Sequence, residues 1–211
     1  MKSRRRSKRK SAEKTRRPTR TRSSKPTGRK RKSSKGGGRR RARVAYLGLG
    51  SNLGDRRAHL EAALREIAAF APLRKVSSFY QTEPVGFRDQ PDFWNAVVEI
   101  SWSGTPRGLL EKTRRVERRV GRTSTFANGP REIDVDILDF AGRLRETGDP
   151  ILPHPRLSGR RFALAPLAEI NPSWSDPRSG RGVADLLRAL PKAPRVRRIA
   201  PCRSGARSPR R

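Results

Sequence analysis

The basic residues of this chain are crowded into its ends, and that distribution decides how much of it can fold. Residues 1–43 carry 22 Lys/Arg against one acid, Glu13, a net +21, and almost nothing apolar. Such a stretch cannot bury enough surface to offset the entropy of ordering it, so disorder is predicted for 1–43. Residues 202–211 read the same way. Residues 44–190 hold 22 bases and 18 acids, a net +4, together with most of the apolar residues. One domain is therefore expected over 44–201, with enough chain for a core.

The residue inventory excludes several classes. One cysteine, Cys202, permits neither an internal disulfide nor a Cys-rich zinc site, and the two histidines, His59 and His154, argue against a His cluster. No apolar run approaches the roughly 20 residues that span a bilayer. The basic N-terminus has no apolar core of a secretory signal, so a cytoplasmic protein without membrane contact is expected. The N-terminal segment itself reads as a polycation for non-specific nucleic-acid binding by counterion release. A solubilising tail and a misplaced start codon are the other readings.

Within the middle, periodicity orders the elements. Val44–Leu49 is an apolar run that reads as a buried strand. Asp55 is a good N-cap for a helix with Leu60, Ala63, Leu64, Ile67 and Phe70 on one face. Leu73–Thr82 predicts one strand, Glu83–Pro91 a loop with two prolines, and Phe93–Trp102 a second buried strand. Thr105-Pro106 starts a helix carrying Leu109, Leu110, Thr113, Val116 and Val120. A polar loop, Gly121–Arg131, leads to a strand over Glu132–Phe140. The order β-α-β-β-α-β is that of a ferredoxin-like α+β fold with a mainly antiparallel sheet. Helices are expected near Arg161–Glu169 and Val183–Leu190, and a short edge strand over Arg195–Ile199.

The strongest chemical signal is Glu132-Ile133-Asp134-Val135-Asp136-Ile137. Aspartate is depleted in strands, yet two occur at i and i+2, on one face and roughly 6.5–7 Å apart. They read either as ligands of a hard cation such as Mg²⁺ or as a solvated face. Asp139, at the strand end, is expected on the surface. Arg122, Arg131, Arg160 and Arg161 sit in or near loops, where a guanidinium suits phosphate; carboxylates for metal beside arginines for phosphate suggest a nucleoside triphosphate. No GxxxxGK[ST] occurs. Gly48–Gly54 misses the dinucleotide spacing, and Ser51-Asn52 reads as a tight polar turn. No histidine pairs with Ser51 or Ser78 in sequence. Thr82, Val85, Phe93 and Asn95 combine apolar walls with an amide that can pair with a heterocycle edge, and Phe162 offers a second ring for stacking; ordinary packing is the alternative.

GLGSNLGD (48–55), SSFYQTEPVGFRDQPDFWNAVV (77–98), GPREIDVDIL (129–138) and PHPRLSGRRFALAPLAEI (153–170) together resemble the 6-hydroxymethyl-7,8-dihydropterin pyrophosphokinases of folate biosynthesis. The resemblance spans roughly Val44–Pro201. It implies transfer of a pyrophosphoryl group from ATP to the pterin hydroxymethyl oxygen, giving AMP and the pterin diphosphate. It further implies two Mg²⁺ ions on Asp134 and Asp136, and a pterin pocket from Thr82, Val85, Phe93, Asn95 and Phe162. Contacts to ATP are implied from Arg122, Arg131, Ile137, His154 and Arg160, with Arg122, Arg131, Asp134 and Asp136 as the catalytic set. Three features depart from the family pattern: Asn128 where members often carry Trp, Ser124 where many carry a base, and the basic N-terminal tail. Two other classes stay open: a nucleic-acid-binding protein with a degenerate enzyme domain, and a kinase that moves only the γ-phosphoryl group.

Overall fold

The apolar run after residue 43 becomes an interior strand of the sheet, covered on both faces. In the computed structural model, which describes residues 41–123, 126 and 128–201, β1 (Arg43–Ser51) pairs antiparallel with β4 (Phe93–Trp102) on one side and β5 (Asp134–Phe140) on the other. Arg43, expected within the disordered tail, instead opens β1 opposite Trp102; residues 1–40 and 202–211, where disorder is expected, lie outside the described residues. With β3 at Phe79–Thr82 and β6 at Val196–Ala200, strand order is β5-β1-β4-β3-β6; β2 (Leu73–Val76) also lies on β4, and every pairing is antiparallel. Counting β2 and β3 together, this is the ferredoxin-like order read from the sequence.

Two helices close one face. Helix α1 (Arg56–Ala68) starts where the Asp55 carboxylate accepts the Ala58 N–H (3.0 Å), and α2 (Pro106–Val120) where Thr105 Oγ1 accepts that of Gly108 (3.0 Å). Each cap satisfies an N–H that a helix start leaves without a partner. Leu60, Ala63, Leu64, Ile67, Leu109 and Val116 pack there on Ala45, Leu47, Leu49, Ala96, Val98, Ile100, Val135 and Ile137. On the opposite face α3 (Arg161–Ile170) and α4 (Val183–Ala189) pack on Tyr46, Val97 and Leu138. A one-turn 3₁₀ helix, Leu157–Gly159, precedes α3.

Three readings need correction. The expected strand Leu73–Thr82 is two, β2 (Leu73–Val76) and β3 (Phe79–Thr82). Ser77 interrupts it: its hydroxyl accepts the Val97 N–H (2.9 Å) and donates to Ser78 O (2.8 Å), while the Ser78 N–H goes to the Glu169 carboxylate (3.0 Å). The Ser77 N–H still meets Val97 O (2.9 Å), but side chains take the return bond and the next N–H. Asp139 is buried rather than on the surface. A bulge between Tyr46 and Leu47 shifts the β1–β5 register, so Asp139 faces Tyr46 instead of continuing the alternation. Its carboxylate accepts Trp174 Nε1–H (3.1 Å) and the Phe140 N–H (2.6 Å), and burial pushes its pKa up despite these bonds. Finally, Ser51 does have a histidine beside it, His59 Nδ1 at 3.5 Å, but Ser51 is fully buried and out of reach of any substrate. The expected edge strand is β6 (Val196–Ala200), paired to β3.

Candidate active site

On the face shared with α3, β1 carries glycine beside the functional groups of Asn95, Asp134 and Asp136 on its neighbours. In register, Gly50 lies between Asn95 of β4 and Asp134 of β5, and Gly48 between Val97 and Asp136. A Cβ at Gly50 would come within 3.1 Å of Asn95 Oδ1, and one at Gly48 within 3.1 Å of Leu138. The two glycines are thus the bare floor of a cavity of about 560 Å³, with Asp134 and Asp136 on one side and Thr82, Phe93 and Asn95 on the other. The sequence reading missed this role. The signal was there as glycine at alternate positions of a predicted strand, which marks close approach of a ligand or a backbone.

The acidic side is dense with paired charge. Arg122 Nη1 donates to Asp134 Oδ1 (2.7 Å) and to Glu117 Oε1, and Arg131 Nε lies 3.5 Å from Asp134 Oδ2. Arg160 Nη1 donates to Asp136 Oδ2 (3.0 Å), with His154 Nε2 3.8 Å from the same oxygen. Glu117, on α2, was not anticipated. It also accepts the Val135 N–H (2.9 Å), fixing β5 beside the Asp pair. Burial raises its pKa, with the Asp134 charge adding to the effect against Val135 and Arg122. Burial would weaken the Arg122 cation, but Asp134 and Glu117 outweigh it and hold the pKa above its ordinary value. For Arg160 and His154 burial wins over Asp136, and both pKa values fall. Arg131 stands over the Phe93 ring at 5.4 Å, and its buried Nε has no hydrogen-bond partner among the described residues.

On the other side Asn95 Nδ2 donates to Thr82 Oγ1 (2.8 Å), both groups buried. Phe93 and Phe162 border the same space, and Val85 stands exposed at its edge. Thr82, Val85, Phe93, Asn95, Phe162, Arg131, Asp134, Asp136 and Arg160 all line the one cavity. Arg122 and His154 stand behind the aspartates. Ile137 is turned away: alternation sends its side chain into the α1–α2 core, so any contact with ATP is left to its main chain. Arg161 also borders the cavity, but its guanidinium is engaged by carbonyls at the end of α4 and just beyond it. Ser124 lies outside the described residues.

Asn52, read as part of a turn, is a buried junction. Its Oδ1 accepts the Arg131 N–H (2.8 Å), and its Nδ2 donates to Gln90 Oε1 (2.9 Å) and Pro91 O (3.1 Å). Gln90 Nε2 in turn donates to Asn128 O (3.0 Å). Phe87 meets Phe126 edge-on, ring centroids 5.1 Å apart. One amide thus ties the end of β1 to both loops that border the cavity.

Residues 46–172 match the family model of 7,8-dihydro-6-hydroxymethylpterin-pyrophosphokinase (HPPK). The 2-amino-4-hydroxy-6-hydroxymethyldihydropteridine pyrophosphokinase of Bacillus subtilis (strain 168) is 49% identical over 129 residues, 60% of this chain and 77% of that protein. The protein of the same name from Aquifex aeolicus (strain VF5) is 41% identical over 134 residues, 64% of this chain and 84% of that one. Among solved structures, wild-type HPPK-DHPS of Plasmodium falciparum has the same fold, with a TM-score of 0.56 at 14% identity. The match covers 70% of this chain and 44% of that one, so this chain spans less than half its length. With the family model covering most of the described domain, and relatives this similar over most of their length, the chain belongs to the 7,8-dihydro-6-hydroxymethylpterin-pyrophosphokinase family.

Proposed function

We propose that this enzyme transfers the terminal pyrophosphoryl group of ATP to 6-hydroxymethyl-7,8-dihydropterin in folate biosynthesis. One observation carries the reading: a triphosphate-type site and a heterocycle-type site open into one cavity across the floor of Gly48 and Gly50. The pterin would insert between Phe93 and Phe162, its edge paired with Asn95. The amide is held by Thr82, so its orientation is set before the substrate arrives. Arg131 and Arg160, both bordering the cavity, would meet phosphate oxygens. The pterin oxygen attacks the β-phosphorus, the bond from that phosphorus to the α–β bridging oxygen breaks, and AMP leaves with that oxygen. The hydroxyl proton is lost as the new O–P bond forms.

Asp134 and Asp136 fit Mg²⁺. They are hard anionic donors on one strand face, partly open to the cavity. No group of three or more His, Cys, Asp or Glu that could hold a metal occurs among the described residues. This donor set therefore suits a cation that takes its remaining ligands from phosphates and water. When bound, two such ions would neutralise charge at the attacking and leaving oxygens. The protein's share is positioning: Arg122 and Glu117 fix Asp134, and Arg160 fixes Asp136.

The presence of Asp134, Asp136, Arg131 and Asn95 in one cavity counts against a degenerate domain. No helix among the described residues is long and apolar enough to cross a membrane. The same reading puts the reaction in the cytoplasm, where ATP is supplied, and keeps non-specific nucleic-acid binding by the +21 of residues 1–43 as a separate property. The test is to incubate the protein with ATP, Mg²⁺ and the hydroxymethyl dihydropterin and separate the nucleotides. AMP formed only when the pterin is present supports the reading; ADP, or no turnover, overturns it.

A further inference from the structure

Arg161 lies between two residues of the site, Arg160 and Phe162, yet its own guanidinium is spent on main chain. Its Nε donates to Pro191 O (3.0 Å) and its Nη2 to Leu187 O and Leu190 O (2.7 Å each). These are late carbonyls of α4 and the first of the segment that follows, groups a helix end leaves without partners. The segment matters because Leu190, Pro191, Ala193 and Pro194 line the cavity that holds Thr82, Asn95 and Phe162. Ala193 and Pro194 also face Glu83–Val85 across an adjoining recess. Pairing of β6 begins only at Val196. Among the described residues, Arg161 makes the only hydrogen bond to the main chain of residues 191–195.

We propose that Arg161 is a positioning residue for the pterin: by clamping the end of α4 it holds 190–194 as a wall of the heterocycle recess. The inference rests on the pterin reading of that recess. Arg161 touches neither Asp134 nor Asp136, so the triphosphate side does not depend on it. A clamp on the wall predicts a loss confined to one substrate, which a general loss of structure would not produce.

The experiment measures binding of 6-hydroxymethylpterin and of a non-hydrolysable ATP analogue by calorimetry, with steady-state kinetics and melting temperature, for wild type, Arg161→Ala, Arg161→Lys and Pro191→Gly/Pro194→Gly. Arg161→Ala is expected to raise pterin Kd and KM about tenfold, with kcat and nucleotide Kd within about twofold. Arg161→Lys, which keeps a donor near the carbonyls, recovers part of the loss. The glycine pair loosens the wall with the clamp intact and also weakens the pterin alone. Equal losses for both ligands, or unchanged pterin affinity in a folded Arg161→Ala, overturn the proposal. If Arg161→Ala does not fold, unchanged pterin affinity in the other two variants does so. A wild type that neither binds the pterin nor makes AMP removes the functional reading itself; an active wild type with an unaffected Arg161→Ala removes only the clamp.

Discussion

Replacing Asn52 with alanine removes three side-chain hydrogen bonds at a residue only 2% exposed. Gln90 and the carbonyl of exposed Pro91 can turn to water, but the Arg131 N–H stays where the fold puts it. A buried group left unpaired costs about 1–3 kcal/mol. At about 2–4 °C per kcal/mol for a domain of this size, the melting temperature falls by about 2–12 °C. Arg131 loses one of the two bonds that tie its main chain to residue 52, its carbonyl still accepting the residue-52 N–H (3.1 Å), and a shift of about 1 Å in a positioning group costs about 100-fold in rate. Thermal melts and steady-state assays of Asn52→Ala measure both effects. A double-mutant cycle with Gln90→Ala should show a coupling of about 0.5–3 kcal/mol, because the two amides share a bond. A melting temperature within 2 °C of wild type, with kcat/KM within about threefold, would refute the junction.

Asp134→Asn and Asp136→Asn should each lower turnover by orders of magnitude while the far-ultraviolet spectrum is unchanged, since each removes an anionic ligand beside the reacting phosphates; near-normal turnover in both at saturating Mg²⁺ contradicts the assignment. Asn95→Ala should weaken pterin binding far more than nucleotide binding, by about 1–3 kcal/mol for an unpaired heterocycle edge, and calorimetry showing equal losses counts against the pocket. Asp139 has a raised folded pKa, so the stability it contributes is present below the ordinary carboxyl range and is lost as pH rises through the folded value. Denaturant titrations should therefore show Asp139→Asn gaining on wild type as pH rises above the ordinary carboxyl range, and a wild type that gains instead contradicts the burial argument. Deleting residues 1–43 should leave turnover within about threefold near physiological salt yet abolish most binding to duplex DNA in a filter assay; a tenfold loss of turnover would make the segment part of the enzyme.

Period-2 and period-3.6 patterns carried most of the fold, because Val44–Leu49, Phe93–Trp102 and the two capped helices agree between local preference and burial. Where the pattern failed, the ladder was locally irregular. At Ser77 the hydroxyl takes the Val97 N–H in place of a carbonyl, and the bulge near Tyr46 moves Asp139 indoors. Neither event leaves a mark in hydropathy. The site was legible where charge stood in an unexpected place, as with Asp134 and Asp136 in a strand. Glu117 and Asn52 were hidden because their partners lie 18 and 79 residues away. Arg161 shows the reverse limit: residue type and position suited phosphate, but three carbonyls on α4 and beyond hold it.

The central claim is that the β- and γ-phosphoryl groups move together. ATP labelled with ³²P at the β position, and separately at the γ position, distinguishes this from every single-phosphoryl transfer. With Mg²⁺ and the hydroxymethyl dihydropterin, both labels should appear in the pterin product in equal amounts, with all of the α-phosphorus recovered as AMP. Label from the γ position alone in the pterin product, with the β label recovered in ADP, would contradict the account.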